Sequence, residues 1–136
     1  MIDSYYTIED IQFSGRTLKI IMTSMHQGEP DGYIGLPLQI TEGSKSYSVI
    51  FSNVGHFEVL CEMCNRLKEP YEELEPPILR QLESQYIKSC NQPVWRLKPD
   101  ASEDDEIKHF VVYCVDYVIN ILGVSEPLIE ELKVTK

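Results

Sequence analysis

Apolar and polar residues alternate along the N-terminal part of the chain in a pattern that predicts strands. Apolar side chains recur at a spacing of two in residues 18–22, after another apolar stretch at 8–13. A spacing of two brings side chains to one face of a strand. Ser14 and Gly15 separate the two stretches, and glycine accepts the backbone angles of a tight turn. The pattern therefore predicts a β-hairpin.

A second pair of apolar stretches flanks a short polar segment. Residues 33–41 and 46–54 lie on either side of EGSK, in which Gly43 favours a turn between antiparallel strands. Pro37 lacks a backbone N–H and therefore favours a position at the edge of a sheet. The two stretches predict a second hairpin whose first strand is an edge strand.

The apolar pattern then continues with one interruption. Residues 48–51 and 57–63 are both apolar at alternate positions, and Asn53 and Gly55 lie between them. Asparagine and glycine inside a strand pattern indicate a bulge or a bend, because both accept backbone angles that other residues avoid. We therefore expect two strand segments here.

A strand pattern also dominates the C-terminal third, in the stretch IKHFVVYCVDYVINILG. Its β-branched and aromatic side chains suit a pleated surface, and apolar residues lie on both faces, which is typical of a central strand. Asp116 predicts a break between a strand at 107–115 and a shorter strand at 117–122. A helix over 116–122 is the alternative.

One segment changes to a helical period. Its apolar residues recur at steps of three and four after Pro76 and Pro77, which brings them to one helix face. They are Ile78, Leu79, Leu82, Tyr86 and Cys90. Proline is tolerated in the first turn of a helix, so the pattern predicts a helix over about 77–90. The fold prediction is α+β, an antiparallel sheet of about six strands with this one main helix packed on it.

Composition narrows the functional classes. A chain of 136 residues with 43% hydrophobic residues is long enough to bury one core, which predicts a single domain over 1–136. The net charge of −10, from 22 acidic and 12 basic residues, opposes binding to nucleic acid. The start, MIDSYYTIED, lacks the basic residues followed by an apolar run that are typical of a signal peptide. No apolar run is long enough to cross a bilayer. We therefore expect a cytoplasmic protein with no membrane contact.

Cys61 and Cys64 have the separation of half a zinc site or of a redox dithiol. In a reducing cytoplasm the four cysteines are expected to be free thiols. A zinc site usually needs a second close pair of ligands, which the sequence lacks, and the neighbouring Glu58 and Glu62 disfavour a thiolate. Both cysteines are therefore predicted to be packing residues, with no cofactor. A metal or thiol site that uses them with a histidine is the alternative.

Acidic residues concentrate in residues 69–106, which we call the acidic segment. It holds ten acidic and four basic residues, and so contributes −6 to the net charge. The segment is either a solvated surface that keeps the protein soluble or a surface that attracts a basic protein. The candidate partner-binding residues are Glu72, Glu73, Glu75, Trp95, Glu103, Asp104, Asp105 and Glu106. The single tryptophan is expected to anchor its loop on the core, and an exposed contact for a partner is the alternative.

Two stretches resemble a known group of proteins. VIFSNVGHFEVLCE and IKHFVVYCVDYVINILG, with the segment between them, are similar in apolar pattern to a group of small bacterial proteins. Some of that group are regarded as immunity-type proteins of toxin systems. The resemblance covers roughly the C-terminal two-thirds of the chain, and it implies a small protein that neutralises a toxin.

Three functional hypotheses follow. The first is a non-enzymatic cytoplasmic binding protein, of the immunity type, that takes a basic protein partner through its acidic surface. The second is an enzyme or metal protein that uses Cys61, Cys64 and a histidine. The third is a self-associating structural protein, such as a homodimer formed by edge strands like the one predicted at 33–41.

Overall fold

A computed structural model describes residues 5–27, 38–40, 43–61, 70–75, 77–90 and 93–132. Within these ranges the chain forms strands and two helices of one turn each. The strands are β1 (Tyr6–Ser14), β2 (Thr17–Ser24), β3 (His26–Gln27), β4 (Leu38–Gln39), β5 (Ser46–Phe51), β6 (Val54–Cys61), β7 (Tyr71–Glu75), β8 (Ile78–Gln81), β9 (Lys108–Tyr113), β10 (Tyr117–Gly123) and β11 (Leu128–Leu132). The helices are α1 (Gln85–Lys88) and α2 (Val94–Leu97).

Nine of the strands form two antiparallel sheets. The first sheet has four strands in the order β1-β2-β5-β11, and the second has five in the order β6-β10-β9-β8-β7. The short strands β3 and β4 pair only with each other within the described ranges. No helix in the described part of the chain is long and apolar enough to cross a membrane.

The two sheets pack face to face around one core. Inward side chains of both sheets belong to the same cluster of buried residues, as the alternation of side chains along each strand requires. Phe51 of β5 and Phe110 of β9, both buried in it, pack against each other across the two sheets, with ring centroids 5.4 Å apart and planes at 48°. Such a tilted arrangement is one of the favoured geometries of aromatic pairs.

Several strand predictions are confirmed. The predicted N-terminal hairpin is β1 and β2, with Gly15 in the left-handed region at φ 55° in its turn. The strand interpretation around Asp116 is also correct, because β9 and β10 pair in antiparallel register on either side of this residue. The alternative helix over 116–122 is therefore wrong.

The predicted interruption at Asn53 and Gly55 is a bend followed by a bulge. Asn53 has φ 58°, in the left-handed region, and separates β5 from β6. In β10, Leu122 pairs with His56 while the next residue, Gly123, pairs with Val54. Gly55 is therefore the extra residue of a bulge in β6.

The predicted α+β fold with one main helix is wrong. The segment 77–90 begins with strand β8, and only Gln85–Lys88 is helical. Ile78 is buried in the core between the sheets, whereas Leu79 is buried with Val111 and Val118 on the outer face of the five-stranded sheet. Adjacent apolar residues that are buried on opposite faces of a strand mimic part of a helical stripe, and this explains the error.

The predicted hairpin across Gly43 is also wrong in its described part. β4 pairs with β3, whereas β5 pairs with β2 on one side and β11 on the other. The strands that pair with β5, β2 and β11, are distant from it in the sequence, so local turn residues do not reveal the pairing. Pro37 and most of 33–41 lie outside the described residues.

Candidate functional site

Three of the acidic candidates lie on β7, the last strand of the five-stranded sheet in its described part. Glu72 and Glu73 are exposed, and Glu75 is half-buried. This segment pairs with strand β8, which begins where a helix over 77–90 was predicted. Charged side chains on an edge strand hinder pairing with the edge of another chain. The carboxylates of β7 therefore hinder pairing of this edge strand with another chain, and they also contribute negative charge.

The other acidic candidates lie in the loop of residues 98–106, which we call the acidic loop. Lys98 Nζ lies 3.0 Å from Asp105 Oδ2, and the backbone N–H of Ser102 donates to the same oxygen at 2.8 Å. The Ser102 backbone N–H, followed by Lys98, lowers the pKa of Asp105. Glu106 forms an ion pair with Arg80 at 2.7 Å. Asp105 and Glu106 therefore hold the acidic loop in place.

Arg80 connects the acidic loop to β7. It lies directly opposite Glu72 in the register of β7 and β8, and side chains of directly paired residues share a face of the sheet. Of Glu72 and Glu106, it is Glu106 that forms the ion pair with the Arg80 guanidinium. By contrast, Glu103 and Asp104 are exposed and form no ion pair with any residue in the described ranges.

Trp95 is exposed, and Leu97 is the residue that anchors this segment. The Trp95 side chain is 62% exposed, the largest value among the exposed large hydrophobic residues of the described chain. The expectation that it anchors the loop is therefore wrong, and the alternative of an exposed contact remains. Leu97, two residues later, is 2% exposed and packs against Gly55 of β6.

The cysteines do not share one environment. Cys61 is exposed at the end of β6, which contradicts its prediction as a packing residue. Cys64 lies outside the described residues. Cys114 is buried, and desolvation raises the pKa of its thiol to about 12, which leaves it protonated and unreactive. The described ranges contain no cluster of three or more histidine, cysteine or acidic residues arranged to hold a metal ion.

A buried polar network lies on the outer face of the five-stranded sheet. Ser84 Oγ is 2.7 Å from His109 Nδ1, and His109 Nε2 is 2.8 Å from Asn120 Oδ1. An amide oxygen only accepts, so Nε2 carries the proton and Nδ1 accepts from the Ser84 hydroxyl. Ser84 Oγ also accepts from the N–H of Ile87 and so caps α1. Burial lowers the pKa of His109, which keeps its imidazole neutral.

Tyr86 covers this network from α1. Its ring lies 4.7 Å from the His109 ring, centroid to centroid, and its hydroxyl donates to Glu58 of β6. Desolvation, together with the hydrogen bond to Glu58 and the charge of Glu58, raises the pKa of Tyr86 to about 12. Three of the five members of this cluster, Ser84, His109 and Asn120, are buried, which makes it a device for fixing α1 on the sheet rather than an accessible catalytic triad.

A cavity of about 620 Å³ opens between the two helices and the sheet. Its floor is formed by Leu122 and the start of β6, and its walls by α1, the residues after α1, and Leu97. The lining residues are Gly55, His56, Gln85, Tyr86, Ser89, Cys90, Leu97 and Leu122.

Sequence reasoning missed both the polar network and the cavity. Two signals were present: His109 and Asn120 are polar residues inside the mostly apolar strands β9 and β10. A buried polar residue needs a partner, so the two could have been expected to meet. Their register, Leu122 opposite His109 and Asn120 opposite Val111, follows only from the pairing of β9 and β10.

Comparisons with protein-family models, with curated proteins and with solved structures each found no match for this chain. The resemblance to immunity-type proteins therefore stays a prediction.

We predict that His109 makes the stability of the protein depend on pH. Its pKa is lowered in the folded state, so below about pH 6.5 the unfolded chain binds a proton that the folded chain resists. Stability should consequently fall as the pH falls through this region, by at most about 1.4 kcal/mol per pH unit from this group. Urea denaturation between pH 7.5 and 5, with a pH grid of roughly half a unit, measures the slope.

His56→Gln is the matched control, because it removes an exposed histidine from the same sheet. His109→Gln should be less stable at neutral pH and show a shallower slope, whereas His56→Gln should retain the wild-type slope. Identical slopes for the wild type and His109→Gln would contradict the prediction.

Proposed function

We propose that this chain is a non-enzymatic cytoplasmic binding protein of the immunity type, which binds a basic protein partner. We call the contact region the acidic surface, and define it as Trp95 of α2 with Glu103 and Asp104 of the acidic loop. Glu72 and Glu73 of β7, at the opposite edge of the five-stranded sheet from β6, add to the negative potential. The observation that carries the proposal is the exposure of Trp95 on a fixed helix. The acidic loop follows it in sequence, and its exposed carboxylates of Glu103 and Asp104 pair with no cation of the residues that the structure describes.

The acidic surface is held by structural contacts that do not involve its own side chains. Leu97 seats α2 on β6, and the pairs Lys98–Asp105 and Arg80–Glu106 hold the acidic loop. A surface that is already ordered loses less conformational entropy on binding than a mobile one. This arrangement supports a role in recognition for the residues that the anchoring contacts leave exposed.

Charge and aromatic chemistry both favour a basic protein as the partner. The net charge of −10 and the exposed carboxylates produce a negative potential, which steers a positively charged partner and raises its association rate. Tryptophan is among the residues most often found at the energetic centre of interfaces. The guanidinium of Arg96 lies 5.8 Å from the centre of the Trp95 ring, within the range of a cation–π contact.

We predict that removing two carboxylates from the acidic loop slows association with the partner. The chain is used as bait in cells that produce it, and the captured partner is then purified. Glu103→Gln/Asp104→Asn should lower the association rate constant several-fold and flatten its salt dependence. Rates are compared between about 0.1 M and 1 M salt, over which the Debye length falls from about 10 Å to about 3 Å. Asp105 and Glu106 stay unchanged because they hold the loop.

Glu9→Gln/Glu130→Gln is the matched control. It removes the same charge from exposed positions on the edge strands of the four-stranded sheet. This variant should associate nearly as fast as the wild type. Equal slowing by both double variants, a partner without a basic surface, or the absence of any partner would contradict the proposal.

We predict that Trp95→Ala weakens binding without destabilising the fold. The side chain is 62% exposed, so its removal should leave the melting temperature unchanged, while the loss in binding free energy should reach about 2 kcal/mol or more. Tyr117→Ala, at an aromatic residue that is 46% exposed on the five-stranded sheet, is the control and should not affect binding. A lower melting temperature with unchanged affinity would show that Trp95 serves the fold.

A further inference from the structure

The cavity beside α1 has the size of a small-molecule site and hydrogen-bonding groups to match. Its volume of about 620 Å³ lies within the range of roughly 300–1,000 Å³ typical of ligand pockets. Hydrogen bonds of Ser84 and Tyr86 hold α1 on the sheet, and the buried Leu97 holds α2, so contacts within the chain position both helices around the cavity. It does not depend on the protein partner proposed above.

Three polar side chains line the cavity with their hydrogen-bonding capacity unused. The side chains of His56, Gln85 and Ser89 make no hydrogen bond with any residue in the described ranges. Together an imidazole, an amide and a hydroxyl offer both donors and acceptors. Tyr86 differs, because its hydroxyl is committed to Glu58, and it offers the cavity its aromatic ring.

The other lining residues favour a ligand whose main part is apolar and uncharged. Leu97, Leu122 and the Tyr86 ring supply apolar walls, and none of the lining residues is a lysine or an arginine. The chain carries a net charge of −10, and the Glu58 carboxylate accepts a hydrogen bond from the Tyr86 hydroxyl. An anion would therefore meet an unfavourable potential that no lysine or arginine among the lining residues offsets. This chemistry argues against nucleotides and fatty acids.

We propose that the cavity binds a neutral heteroaromatic molecule that carries a hydrogen-bond donor and an acceptor at one edge, such as an aromatic amide. The ring packs against Leu97, Leu122 and Tyr86. The polar edge of the ligand contacts Gln85 and Ser89. His56 lies on the side of the cavity that β6 forms. Aromatic packing supplies the apolar contact area, and the amide and hydroxyl fix the orientation.

Three probes of similar size separate the requirements for shape, polarity and charge. Nicotinamide has the proposed chemistry, nicotinate replaces its amide with a carboxylate, and toluene lacks hydrogen-bonding groups. The full chain is titrated with each probe while NMR records the chemical shifts of its backbone amides. Nicotinamide should give saturable shifts at the lining residues. Nicotinate and toluene should each bind at least about tenfold weaker, which corresponds to about 1.4 kcal/mol. Equal affinity for either probe, or no saturable shift with nicotinamide, would overturn the proposal.

Two variants test the location of the binding site. Ser89→Trp fills the cavity from an exposed position and should abolish nicotinamide binding, whereas Ser14→Trp makes the same change at an exposed site on β1 and should not. Gln85→Ala should lower the affinity for nicotinamide several-fold and leave the affinity for toluene unchanged. Undiminished nicotinamide binding by Ser89→Trp would place the ligand elsewhere and overturn the assignment.

Discussion

The seating of Leu97 on the backbone of Gly55 determines where the functional surfaces lie. A Cβ atom on Gly55 would be 2.8 Å from Leu97 Cδ2 and 2.9 Å from Cδ1, so the leucine occupies space that any other residue at position 55 would fill. Asn53 reinforces the contact, because its Nδ2 donates to the Leu97 carbonyl at 3.0 Å. Ser125 Oγ donates in turn to Asn53 Oδ1 at 2.6 Å. One bend in the sheet thereby positions α2, and with it Trp95.

The two short helices are attached to the same sheet by different means. α2 buries Leu97, whereas α1 has no buried residue and is held by hydrogen bonds from Ser84 and Tyr86. A helix fixed by polar contacts opens at a lower free energy than one fixed by buried apolar surface. The cavity lies between them, so one of its walls is firmly packed and the other is able to adjust to a ligand.

The sequence was informative where contacts are local. The hairpin of β1 and β2 and the break at Asp116 follow from alternation and from residues suited to turns. The sequence did not reveal that the Asp116 carboxylate accepts a hydrogen bond from Thr7 Oγ1 at 2.9 Å, since the two residues are far apart in the chain. The same limit explains β8, whose strand character depends on its pairing with β7 and β9.

The candidate site shows this limit most clearly at VWRL. Trp95 and Leu97 are both apolar, and nothing in the local pattern says which of them is buried. The choice is made by Gly55, about forty positions earlier, whose missing side chain accepts a leucine. Most of the acidic candidates are exposed in the structure. Which of them hold the loop depends on Lys98 and Arg80, which pair with Asp105 and Glu106, and this pairing is not visible in the local sequence.

A double-mutant cycle between Gly55 and Leu97 tests this seating directly. Gly55→Ala places a methyl group in the space of the leucine and should lower the free energy of unfolding by about 1–3 kcal/mol in the wild-type background. In a Leu97→Ala background that space is vacant, and the same substitution should cost less than about 0.5 kcal/mol. Urea denaturation of the four proteins measures both values. An equal cost of Gly55→Ala in the two backgrounds would show that Leu97 is not seated on Gly55.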